Sequence, residues 1–299
     1  MYRVYMRHTA YINNGDLVDV SAEHIVGAHL GDGRRARLLR LARSKVVWER
    51  RGSPAGPRRP CPDVSFTADT LRFFRALKRR NERAWFEAHR DEYEAYVRAP
   101  MRHLVEEMDV RLARFAPEIV GDPRHSIFRI HRDIRFSKDK SPYKTHVAAW
   151  FYHGAGSRNV GQDGEGGSAG FYVQVSPGAS FSGGGIWMPP PSTLKKIREA
   201  IADDPRGFAR VAGSPVLKRR FGGLDAEDSL KRMPRGFADD HPAARWLKFR
   251  SFTVGRLLRD TQATGPRLAA LLEADFRAML PLVRWLNAAL GLRPSARRS

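Results

Sequence analysis

The sequence predicts an α+β domain, an antiparallel sheet of about four strands flanked by N-terminal and C-terminal helices. Three observations carry this. Apolar residues recur at helical spacing from Leu71 to Phe115, the period falls to two between Phe128 and Trp187, and helical spacing returns after Ser192. A length of 299 residues with a 42% hydrophobic fraction leaves room for such a core and excludes a wholly disordered chain.

Order is expected to begin at Phe66, with Thr67 as N-cap and Phe66 stapled onto Leu71. Leu71, Phe74 and Leu77 then share one helical face. Asn81 can cap a second helix bearing Trp85, Phe86, His89, Tyr93 and Tyr96, and an aromatic stripe at that spacing reads as core. Pro100 suits the first turn of a third helix carrying Met101, Leu104, Val105, Met108 and Leu112. Phe128, Ile130, Ile134 and Phe136 alternate with polar residues, as a half-buried strand requires, and only Arg132 falls among the apolar positions. A turn at Ser141-Pro142 leads to a strand from Thr145 to Tyr152. The Gly/Ser-rich segment 154–170 reads as a loop, followed by strands from Phe171 to Ser176 and from Phe181 to Trp187. Ser192 can cap the next helix, with Leu194, Ile197 and Ile201 inward. Short helices follow, and an apolar helical region closes the domain from about Pro266 to Leu292.

This places one α+β domain at residues 64–292 and a short basic tail at 293–299. Residues 1–63 differ. They end in Gly52-Ser53-Pro54-Ala55-Gly56-Pro57-Arg58-Arg59-Pro60, a density of Pro, Gly and Arg that predicts a poorly packed extension. A basic arm for nucleic acid is the functional alternative. The preferred expectation is a non-domain extension, and Val64 offers an alternative start codon directly before the folded region.

Charge and composition narrow the function classes. The chain carries 53 basic and 32 acidic residues, a formal +21, with only 10 Lys among the basic set. Such an excess suits an anionic partner, a phosphate, a nucleotide or nucleic acid, and equally a highly soluble surface. No apolar run reaches the roughly 18–20 residues that span a bilayer. The first twenty residues hold no apolar secretory core, so a cytoplasmic location is expected. The single cysteine, Cys61, excludes an internal disulfide and a cysteine-based zinc site.

The densest polar cluster is Arg129, Arg132, Asp133, Arg135, Ser137, Lys138, Asp139, Lys140, Tyr143 and Lys144. Three of the ten lysines fall within seven residues here, which marks positions where a compact ammonium is wanted in an Arg-rich chain. Forked Arg donors, a Lys point charge and a Ser hydroxyl suit a phosphate clamp. Tyr143, Lys138 and Lys140 are the acid/base candidates, since crowded cations lower one another's pKa. The same residues also fit a solvated strand edge, with Asp133 and Asp139 paired to neighbouring cations. Asp139 is the first candidate partner for Arg132. No metal is expected among so many cations. Gly183-Gly184-Gly185 lacks the Lys and Ser/Thr of a P-loop, so no nucleotide cofactor is expected from it; a bulge or close backbone approach explains it better.

Arg132-Asp133-Ile134-Arg135-Phe136-Ser137-Lys138-Asp139-Lys140-Ser141-Pro142-Tyr143-Lys144 resembles the signature of the domain of unknown function 2461 family. The Asn81…Trp85-Phe86 helix, Gly170-Phe171-Tyr172 with Ser176-Pro177-Gly178, Gly184-Gly185, and Lys231-Arg232-Met233-Pro234-Arg235-Gly236-Phe237 with Asp240-His241-Pro242 are similar as well. The likeness runs from about Phe66 to Leu292, with Arg80-Asn81 standing where the family prefers Asn-Asn. It implies the extent of the domain and the location of a site, not a reaction.

Two function classes follow. One is a metal-independent protein that binds, and transforms if it is an enzyme, a phosphate-bearing or other anionic small molecule at the Arg/Lys/Tyr cluster. The other is a nucleic-acid or polyanion binding module without catalysis, using Phe128, Phe136, Tyr143 and Trp150 beside the cations. A concave pocket favours the first and an exposed basic stripe the second.

Overall fold

The computed structural model describes residues 65–133, 139–156 and 167–294. All lie within one compact unit, Asp63–Ser299. The extension 1–63, most of the tail, and Arg135, Ser137 and Lys138 of the polar cluster lie outside the described residues.

Thr67 opens helix α1 (Ala68–Arg79), its hydroxyl accepting the Asp69 amide at 3.2 Å, while Thr70 returns the favour to the Thr67 amide at 3.1 Å. The expected second helix is broken into α2 (Arg83–Ala88) and α3 (Arg90–Tyr93). A π-helical turn, Glu94–Arg98, then joins α3 to α4 (Ala99–Leu112) without interruption. The turn has an identifiable cause. Pro100 has no N–H for the Tyr96 carbonyl, and the buried Thr70 hydroxyl donates to that oxygen instead, at 2.6 Å. Phe73, Trp85, Phe86 and Tyr93 pack ring on ring here, so these members of the stripe join the core as expected, whereas Tyr96 is exposed.

Five strands form one antiparallel sheet in sequence order: β1 (Ile119–Val120), β2 (Val147–His153), β3 (Gly170–Val175), β4 (Ser180–Ile186) and β5 (Phe252–Leu258). The three strands expected from Thr145 to Trp187 are present. The one expected at Phe128–Phe136 is not: its described part, up to Asp133, makes only isolated bridges, Ile127 with Ala149 and His131 with Tyr143. Pro142 is the reason. It faces Arg132, accepts the Arg132 amide at 2.9 Å and has no N–H to return, so the ladder cannot continue. The two edge strands β1 and β5 take its place in the count. Of these, β1 is too short to show a period, and β5 carries a glycine at its centre.

Helices α5 (Pro191–Asp203), α6 (Pro205–Ala212), α7 (Pro215–Phe221), α8 (Ala244–Leu247), α9 (Asp260–Ala263) and α10 (Leu268–Ala289) complete the domain. Strand alternation sends Phe151, Phe171 and Phe252 to one face of the sheet. There Phe276 of α10 stacks on Phe171 at 4.4 Å and meets Phe151 edge-on, while Phe208 of α6 meets Phe252. Asn287 at the end of α10 is buried and holds both backbone groups of Ala169, at 2.8 and 3.1 Å, fixing the start of β3. Among the described residues no helix is long and apolar enough to cross a membrane.

Candidate functional site

The sheet face opposite α10 is hollow. A groove of about 940 Å³ runs across it. Its walls are Phe128, Trp150, Tyr172, Phe181 and Trp187, its polar groups include Lys144 and His146, and its lip is the chain from Phe221 to Ala226 at the end of α7. The Phe128, Tyr172 and Phe181 rings follow one another across the strands at 6.1 and 6.4 Å. Glycines seat the last of them: a Cβ at either Gly183 or Gly255 would collide with the Phe181 ring, which therefore lies close on the strands. The glycine run in β4 thus serves close approach, as its setting in a strand implied.

Strand period decides which members of the polar cluster reach the groove. Lys144, His146, Ala148 and Trp150 share one phase and line it. Tyr143, Val147, Ala149 and Phe151 share the other and are buried in the helical core. Tyr143 is only 2% exposed and stacks on Phe86 at 4.2 Å, so its ring and the Lys144 ammonium leave the backbone on opposite sides. Asn81 does not cap α2. Its side chain donates to the Tyr143 carbonyl at 2.9 Å and accepts the Tyr143 amide at 3.0 Å, clamping this arm to the helices. Two well-formed bonds to otherwise unpaired backbone groups contribute about 1–2 kcal/mol. Asn81→Ala is accordingly expected to lower unfolding free energy in urea by about that amount, with an unchanged m-value.

Arg132 pairs with Asp139 at 2.6 Å, the first candidate partner from the sequence. Asp139 also accepts the Ser141 amide at 2.9 Å, and this bond, with the Arg132 charge, holds its carboxyl below the usual range. Asp139 therefore closes the turn. Arg129, Asp133 and Lys140 are exposed. Arg129 and Arg132 are near enough to Lys144 for their fields to act on it: burial, then these two guanidiniums, lower its pKa. The Lys144 ammonium lies over the Phe128 ring at 5.6 Å, and no carboxylate pairs with it among the described residues. His146 is pushed down to about 4, first by burial and then by Lys144 and Arg132, so its imidazole is neutral at pH 7. Asp225 is the carboxylate of the lip, and it accepts the Glu227 amide at 2.9 Å. Among the described residues no group of three or more His, Cys, Asp or Glu could hold a metal ion.

Of the walls, the sequence points to Phe128 and Trp150 as aromatics beside the cations, but not to Tyr172, Phe181, Trp187 or the lip. His146 was within reach, since it repeats the phase of Lys144. Phe181, Trp187 and the lip come from distant segments, and no local signal marks them.

A family model described as a conserved hypothetical protein (DUF2461) matches residues 69–285. The chain belongs to this family. In this DUF2461 domain the segment that resembles the family signature ends on the groove's ammonium, Lys144. A second model, described as a DNA alkylation repair enzyme, matches residues 1–75, mostly outside the described residues. No curated protein and no solved structure matches the chain.

Proposed function

We propose that this DUF2461 domain binds a small anionic molecule, phosphate-bearing or similarly charged, in the groove, with Lys144 as the cation that meets it. One observation carries the proposal: a half-buried ammonium opens on an aromatic-walled groove with no carboxylate partner among the described residues. Burial of an unpaired charge is costly, and an anion arriving at that point offsets the cost. Arg129 and Arg132 add positive field from the rim. Lys140 and, from the sequence alone, Arg135, Ser137 and Lys138 complete the proposed set of anion-attracting residues. No metal is invoked. If chemistry follows binding, neutral His146 is the group beside Lys144 able to accept a proton.

A melting screen against inorganic phosphate, pyrophosphate, sugar phosphates and nucleotides tests this on the full chain. A ligand at 100 times its Kd adds about 2.7 kcal/mol of stability, a rise of about 5–10 °C for a domain of this size. The rise should vanish in Lys144→Met, persist in Lys144→Arg, and shrink by less in Lys138→Ala/Lys140→Ala. If no anion stabilises the protein, or Lys144→Met responds like wild type, the proposal fails.

The net charge of +21 and the row of rings on neighbouring strands favour a second reading, nucleic acid on the same face. An oligonucleotide shift that collapses steeply with salt would support it.

A further inference from the structure

We infer that the groove takes a mononucleotide-class ligand, a flat heteroaromatic ring carrying a phosphate, whose ring is held by the aromatic walls and the Trp150 indole N–H while its phosphate meets Lys144. This deepens the reading above and rests on it.

The first support is an unpaired donor. Trp150 lines the groove and is 6% exposed, yet its Nε1 is buried with no hydrogen-bond partner among the described residues. A buried indole N–H ordinarily finds an acceptor, and a heterocycle offers one where a hydrocarbon ring does not. The second support is the lining. An inorganic phosphate would engage Lys144 and leave the rings of Phe128, Trp150, Tyr172, Phe181 and Trp187 uncovered, and these suit stacking of a flat, polarisable body. Size agrees: small-molecule pockets run from about 300 to 1,000 Å³, and about 940 Å³ is far more than a phosphate fills.

The third support lies at the mouth. Trp187 is 59% exposed at the edge of the groove. The next residue, Met188, is held at φ 44°, a conformation that L side chains rarely adopt, and its amide is fixed by a bond to Ser251 Oγ at 2.9 Å. An exposed indole on a strained, anchored backbone is a ring set in place rather than left over. A ligand ring stacked on it would cover apolar surface now open to water.

Calorimetry on the full chain tests the inference. The probes are AMP, GMP, CMP, UMP and flavin mononucleotide, with ribose 5-phosphate as the ring-free anion. At least one ring-bearing phosphate should bind more tightly than ribose 5-phosphate by about tenfold or more. Trp150→Phe, which keeps a ring and loses the N–H, should weaken that probe by about five- to tenfold and leave ribose 5-phosphate unchanged. Lys144→Met should weaken both. Binding of ribose 5-phosphate as tight as every ring-bearing probe, still lost in Lys144→Met, would overturn the inference and leave the anion site standing. Binding of no probe at all would overturn both. A Trp150→Phe protein that melts like wild type and binds the best probe unchanged would remove the indole from the recognition.

Discussion

Asp275→Ala should cost about 3–5 kcal/mol of stability and lower the melting temperature by on the order of 10 °C. Asp275 sits in the middle of α10 and is 0% exposed. Its carboxylate takes Arg220 Nε at 2.6 Å from α7 and Arg256 Nε at 3.1 Å to each oxygen from β5. Three elements thus meet on one buried charge. Substitution by Ala leaves two guanidiniums facing each other without their counter-ion, together with a small void. By contrast, the Arg90–Glu87 pair at 2.9 Å is solvated on both sides and stands for contacts contributing about 0–1 kcal/mol. Urea unfolding of Asp275→Ala beside Glu87→Ala measures the difference, and equal effects would refute it. Arg220 lies one residue before the Phe221–Ala226 lip, so the Asp275 variant should also bind groove ligands less tightly.

Acid should unfold the domain partly through His146. Its imidazole titrates near 6.5 in the unfolded chain and is pushed down to about 4 in the folded one. Between those values the unfolded chain holds the extra proton, so stability is full above about pH 6.5 and falls as the pH drops towards 4. At about 1.36 kcal/mol per pKa unit the loss is at most about 3–4 kcal/mol, and smaller where solvent screens the ring. His146→Gln cannot take the proton, so its unfolding free energy should fall less between pH 7 and pH 4.5 than that of wild type. Parallel curves for the two proteins would mean that the ring is solvated in both states.

How much of this was legible in the sequence depends on the range of the contacts. Thr67 as a cap, the aromatic core of the first helices and the strands from Val147 to Ile186 follow from periods and turn residues within short windows. The Arg132–Asp139 pair was legible too, because a cation among apolar neighbours needs a carboxylate and Asp139 lies seven residues away along the chain. Tyr143 shows the opposite case. Adjacent to Lys144, it was grouped with it by proximity along the chain, although a period of two sends neighbours to opposite faces. The groove was the hardest to see, since Trp150, Phe181, Trp187 and the lip meet only after the sheet has closed. Their pairing is a property of register, set by cross-strand matches such as Trp150 with Tyr172 and Gly183 with Gly255.

The Thr70 hydroxyl makes two helices depend on each other. It accepts the Thr67 amide, which stabilises the first turn of α1, and donates to the Tyr96 carbonyl that Pro100 leaves without a donor. A helix running from Arg90 to Leu112 is therefore incomplete on its own, because one carbonyl at its interruption is served from another helix. Nucleation is costly for any helix, and a defect near its middle adds to that cost. The two helices complete each other only on contact, so one buried hydroxyl ties the stability of the first turn of α1 to that of the π turn.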